Sequence, residues 1–164
     1  MKSVSSSTLV FPTFQYESLI GKLTSGEPTQ PAWSLVPRFE PKIDMLAVSS
    51  FPGLIFAEPG AIPDDYYATL RERSPHPLAM TSIGWTSDLA LGGPQGQFDY
   101  MSRALAAADA LQAKLVVWYL GRDLTPQPAS APQPLSGMGL YDTEGFTKSS
   151  WSLWRRHAER PLQP

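Results

Sequence analysis

Residues 77–87 read Pro77-Leu78-Ala79-Met80-Thr81-Ser82-Ile83-Gly84-Trp85-Thr86-Ser87. A short apolar run opened by proline and closed by Gly-Trp has the length of a strand. Its lack of strict alternation predicts a strand covered on both faces, as in a parallel sheet. Downstream, Phe98, Met101, Leu105, Ala108 and Leu111 recur at three- and four-residue steps within 95–113, which predicts a helix with one apolar stripe. A second apolar run, 114–120 (Lys114-Leu115-Val116-Val117-Trp118-Tyr119-Leu120), follows it.

The same alternation extends upstream. Residues 43–50 (Ile43-Asp44-Met45-Leu46-Ala47-Val48-Ser49-Ser50) and 8–14 (Thr8-Leu9-Val10-Phe11-Pro12-Thr13-Phe14) are strand-like. Pro63-Asp64-Asp65 suits a helix start that continues through 66–73, and 148–158 carries Trp151, Trp154 and Ala158 on one helical face. A weaker helical pattern covers 15–23. Prolines crowd into 27–41 and 126–134, which are predicted loops because proline lacks the N–H that regular pairing requires.

Strands alternating with helices predict an α/β fold of parallel βα units. An open doubly wound sheet would place a glycine-rich phosphate loop after its first strand. The corresponding residues are Phe14-Gln15-Tyr16-Glu17-Ser18, and Gly92-Gly93-Pro94-Gln95-Gly96 does not directly follow a strand. The other closure is a (β/α)8 barrel, which typically takes about 250 residues. Four units in 164 residues therefore predict a single domain, 1–164, amounting to half of a TIM-type barrel.

Composition narrows the function classes. Hydrophobic residues make up 42% and charged residues 17%, a globular balance, and the net charge of -2 lends no electrostatic support to a nucleic-acid partner. No apolar run approaches the roughly 18 residues that span a bilayer, so no membrane partner is expected. The N-terminal residues lack a continuous signal-peptide core, which leaves the compartment open: either the chain stays inside the cell, or Met1 is not the natural start. Without cysteine there is no disulfide framework or thiolate metal site. His76 and His157 have no zinc-motif spacing, and no cofactor is expected.

Taken in order, several stretches resemble the C-terminal half of (β/α)8 glycoside hydrolases, in particular the endo-galactanase-like branch of the retaining-glycosidase superfamily. Asp44-Met45-Leu46-Ala47-Val48-Ser49-Ser50-Phe51-Pro52 is similar to the sixth barrel strand, and Ile62-Pro63-Asp64-Asp65-Tyr66-Tyr67 to the start of the next helix. Thr81-Ser82-Ile83-Gly84-Trp85 resembles the seventh strand with its Glu-x-Gly-Trp, and residues 97–101 the helix after it. Val117-Trp118-Tyr119 with Asp123 resembles the eighth strand and its loop, and 139–148 the closing turn into the last helix.

The resemblance implies a two-carboxylate mechanism, with an acid/base on the fourth strand and a nucleophile on the seventh about 5–5.5 Å away. The fourth strand would lie upstream of Met1. At the nucleophile position stands Ser82, a neutral hydroxyl that cannot replace a carboxylate. The resemblance thus implies a carbohydrate-binding cleft without hydrolysis by this chain alone. Trp85 and Trp118, at strand ends, are candidate platforms for sugar faces, with core packing as the other reading. Glu58 and Asp123 are candidate loop ligands for sugar hydroxyls. Asp88 is a further nearby acid, and Asp44 reads as a structural cap.

Two other readings stay open. A half-barrel leaves its first and fourth strands as unpaired edges, which a homodimer or a separate N-terminal half-barrel would cover. Alternatively, Ser82 would be an esterase nucleophile, followed in chain order by Asp123 or Asp142 and His157. Gly84 fits the nucleophile-elbow pattern but Met80 does not.

Overall fold

The computed structural model describes residues 7–23, 30–124, 135 and 137–161. Its centre is a four-stranded sheet of β1 (Thr13–Gln15), β2 (Leu46–Ser50), β3 (Leu78–Ile83) and β4 (Leu115–Trp118). The strands lie in sequential order and every pairing is parallel. A doubly wound sheet reverses its order at a switch point, whereas a barrel adds each strand beside the last. The absence of a reversal settles the alternative left by the sequence: the chain is a run of βα units forming part of a TIM-type barrel.

Between the strands lie α1 (Tyr16–Leu19) with a 3-10 turn (Trp33–Phe39), then α2 (Ala68–Arg73), then α3 (Gly93–Ala110). After β4, two short strands, β5 (Leu120–Arg122) and β6 (Gly139–Tyr141), pair parallel and lead into α4 (Ser149–Ala158). The loop predicted over 126–134 lies outside the described residues, as do positions 27–29 of the other proline-rich segment.

β3 has the limits read from the apolar run. The first strand is much shorter than 8–14, because Pro12 interrupts pairing. Before it, Val10 donates to Asp44 Oδ2 at 2.7 Å and accepts from the Asp44 N–H at 2.9 Å. Asp44 is thus the structural brace its position suggested. The fourth run divides at Tyr119, so Leu120 belongs to β5 rather than to the sheet. Residues 64–67 form turns, and α2 starts only at Ala68.

Alternation along the strands sorts the sheet into two faces. Phe14, Leu46, Val48, Leu78 and Met80 enter the main core under the helices, where Tyr100, Met101, Ala104, Leu105 and Ala108 of α3 meet them. Phe98 and Leu111 of the expected α3 stripe are half-buried, and Ala158 of α4 is exposed. Two close backbone approaches require glycine, one between α3 and the turn before it and one between β6 and the end of β5. A side chain at Gly96 would come within 2.6 Å of the Leu91 carbonyl, and one at Gly139 within 2.3 Å of the Asp123 amide nitrogen.

The opposite face carries Thr13, Gln15, Ala47, Ser49, Ala79 and Thr81. Among the described residues a small cluster of Met45, Ala47 and Ala79, with Phe11 against it, covers part of this face. On β4 it bears Leu115 and Val117, and beyond the strand Tyr119. These are 40%, 39% and 40% exposed.

Candidate site at the carboxyl ends of the strands

Three polar side chains stand level across the open face. Gln15 is the register partner of Ser49, and Ser49 of Ser82. The register shifts by one residue after Val48 and Met80, so Thr81 bulges. Thr81 Oγ1 then lies 3.1 Å from Thr13 Oγ1 and donates to the Val48 carbonyl. Because of the bulge Ser82 takes the position beside Ser49, half-buried and without a hydrogen-bond partner among the described residues.

Gln15 is held from both sides. Its Oε1 accepts from Ser49 Oγ at 2.8 Å, and its Nε2 donates to Glu17 Oε2. Glu17, on the first turn after β1, is fully buried. Its Oε1 accepts from Ser50 Oγ (2.6 Å), the Phe51 N–H (3.1 Å) and Tyr66 Oη (3.2 Å). Every group around this carboxyl is a donor.

The direction of the remaining bonds follows. Ser50 has one hydroxyl hydrogen, which goes to Glu17. Tyr67, 2.9 Å from Ser50, must therefore donate to it, and Tyr100, 2.9 Å from Tyr67, must donate in turn. Burial pushes the Tyr16 phenol up to about 12, against a lowering bond from Thr69. Burial is also the largest cause of the upward shifts at Tyr66, Tyr67 and Tyr100, with the Glu17 charge adding to each. The phenols therefore stay protonated, as donors, at ordinary pH. In the sequence Tyr66 and Tyr67 fall in a predicted helix, 66–73, and Gln15 and Glu17 in a weak helical pattern, 15–23, without a site motif at either. The one sequence signal was several polar residues directly after a strand.

The two tryptophans expected as sugar platforms are core residues here. Trp85 is 0% exposed, its indole N–H donates to the Leu91 carbonyl at 2.8 Å, and its ring packs on Tyr100. Trp118 is likewise buried and donates to the Met138 carbonyl at 2.7 Å. Both rings point under the helices, because the last strand residues alternate back into the main core.

Asp123 is held by Lys148, whose Nζ lies 2.7 Å from its Oδ2. The side chains are 11% and 9% exposed. Asp123 also accepts from the Gly139 N–H, and Lys148 reaches Ser87 Oγ and the Gly137 carbonyl. This is a brace for the β5–β6 loop. Glu58 is exposed at the start of the 59–61 turn, and Asp88 caps the next turn by accepting from the Ala90 N–H at 2.8 Å.

For the esterase alternative, neither histidine is hydrogen-bonded to Ser82 among the described residues. His76 pairs with Glu40 at 2.5 Å, before β3 begins, and His157 lies on α4 beside Trp154 and Arg160. Asp142 is occupied with the backbone N–H groups of residues 144–146, which hold its carboxyl below its ordinary value against a desolvation contribution. Among the described residues no group of three or more His, Cys, Asp or Glu could hold a metal, and no helix is long and apolar enough to cross a membrane. Two cavities lie away from the row. One of about 300 Å³ sits between the 62–67 segment and α3, and one of about 440 Å³ is lined by Trp33, Glu40, Arg73 and His76.

No protein-family profile matches the chain, and no curated protein matches it in sequence. Solved structures do match in fold. A β-glucuronidase from an uncultured Clostridium superposes with a TM-score of 0.61 at 12% identity, over 97% of this chain and 28% of that one. The Bifidobacterium dentium β-glucuronidase gives 0.59 at 14% identity, over 80% and 26%. A β-1,3-glucanosyltransferase of Rhizomucor miehei, solved with laminaritriose, gives 0.50 at 14% identity, over 66% and 42%. The chain thus has the architecture of part of a TIM barrel, and spans about a quarter of the length of the two glucuronidases.

Proposed function

We propose that this chain is a glycoside-hydrolase-like half-barrel that binds carbohydrate at the carboxyl ends of its strands and does not hydrolyse glycosides alone. The observation that carries the reading is the row Gln15, Ser49 and Ser82. It lies where a parallel barrel builds its sites, and it holds hydroxyl and amide groups but no carboxyl pair. Its fold neighbours are named as glycoside-processing enzymes, which supports the substrate class. The finer assignment to endo-galactanase-like enzymes rests on the order of sequence motifs. The place of the nucleophile in that resemblance is Ser82, and no carboxyl group is hydrogen-bonded to it among the described residues.

The purified chain is expected to release no reducing ends from β-linked oligosaccharides, while calorimetry detects their binding. Measurable release by this chain would overturn the non-hydrolytic half of the reading. Absence of binding to any β-linked oligosaccharide would overturn the other half.

A second reading is favoured by a separate observation. β1 and β4 are the outer strands of the sheet, and Leu115, Val117 and Tyr119 are exposed beside the β4 edge. We infer that a complementary half-barrel covers this face. In a two-fold dimer, β4 of one copy would extend the sheet of the other at β1, keeping all strands parallel. Sedimentation of the chain is expected to show a dimer that a Val117→Lys substitution dissociates. A monomer at all accessible concentrations would exclude self-closure.

A further inference from the structure

We infer that the row formed by Gln15, Ser49 and Ser82 selects neutral saccharide hydroxyls over uronate groups, with Gln15 as its principal contact. This inference rests on the carbohydrate-binding reading and adds to it the contact residues and the charge class of the ligand.

The amide of Gln15 has a settled orientation. Glu17, an acceptor, accepts from its nitrogen, so exchanging the two ends would oppose oxygen to carboxylate oxygen, whereas the Ser49 hydroxyl, which donates to the amide oxygen here, fits either end. Among the described residues these are its side-chain bonds, which leave one N–H and one oxygen lone pair of a half-buried group at the open face. A fixed neighbouring donor and acceptor match a pair of adjacent sugar hydroxyls, each of which both gives and accepts a hydrogen bond. Because Glu17 is itself fixed by Ser50, Phe51 and Tyr66, little side-chain freedom is lost when ligand binds.

The neighbours extend the same chemistry. Ser49 gives its hydrogen to Gln15 and keeps acceptor capacity, and Ser82 has both functions free. None of the three is charged. Among the described residues no cation is hydrogen-bonded to any of the three, and cations in the loops after the strands have other partners: Lys22 lies over the Phe56 ring, Arg122 bonds the carbonyls of Asp142 and Thr143, and Lys148 is paired with Asp123. A uronate carboxylate would leave water here without gaining a cation, which is unfavourable.

The test is calorimetric titration of the chain with laminaritriose, a neutral β-glucan trimer, and with a β-glucuronide of similar size. Laminaritriose is expected to bind more tightly. Gln15→Leu is expected to weaken it by about tenfold, the scale of one or two lost hydrogen bonds. Ser82→Ala, at a side chain with no internal bond to break, is expected to weaken it a few-fold with an unchanged unfolding midpoint. Tighter glucuronide binding, or unchanged affinity in a folded Gln15→Leu and in Ser82→Ala, overturns the selectivity and leaves the carbohydrate-binding reading standing. Failure of the unaltered chain to bind either saccharide overturns both.

Discussion

Replacing Glu17 by alanine is expected to lower the stability of the chain by about 4 kcal/mol, read as a fall in urea midpoint. The substitution leaves Ser50 Oγ, the Phe51 N–H and Tyr66 Oη buried without their acceptor. Each abandoned donor costs about 1–3 kcal/mol, and relaxation of the serine and tyrosine hydroxyls recovers part of that sum. The loss is large against the roughly 5–15 kcal/mol that hold a domain together. Glu17→Gln is expected to fall between, since its amide still accepts on one side but opposes the Gln15 amide donor on the other. A loss below about 1 kcal/mol for Glu17→Ala would mean that water replaces the carboxyl, contrary to its complete burial.

The second large effect is expected at Lys148. Lys148→Met keeps much of the apolar stem but leaves Asp123, about one tenth exposed, without its cation. Removing one partner of a buried ion pair costs about 3–5 kcal/mol, because the remaining charge is uncompensated. The double variant Lys148→Met, Asp123→Asn is expected to regain a substantial part of this, since the asparagine oxygen still accepts from the Gly139 N–H. Thermal unfolding of the two single variants and the double gives the coupling. Additive losses would show that the two groups act independently. Loss of this brace is also expected to loosen β5 and β6, because Lys148 ties the Gly137 carbonyl and Ser87 to the same point.

How much could be read in advance differs from segment to segment for physical reasons. β3 was legible because six apolar or small residues stand between Pro77 and Gly84, and both boundaries are local backbone effects. The α3 stripe was legible for a similar reason, since helical periodicity is written within a few turns. The first strand was overextended because the pattern 8–14 looks continuous until Pro12 withdraws a donor and Val10 turns to Asp44 instead. Trp85 and Trp118 were placed at strand ends, with sugar platform and core packing both left open, and the structure gives core packing. Which way a terminal side chain points depends on the bulge in β3 and on α3 and Met138 packing above it.

The candidate site was the least visible part. Nothing in Gln15-Tyr16-Glu17 distinguishes a buried hub from a solvated turn. The groups that make Glu17 a hub, Ser50 and Tyr66, lie 33 and 49 positions away, and the Tyr67–Tyr100 contact spans another 33. By itself the amino-acid sequence determined the α/β class, the βα alternation and the presence of a neutral Ser82 near the end of an apolar strand. These follow from local patterning and residue identity. Only the tertiary structure decided the sequential parallel order, the burial of both tryptophans and the polar row backed by Glu17. Hydrogen bonds and packing between residues dozens of positions apart come into existence only when the chain closes on itself.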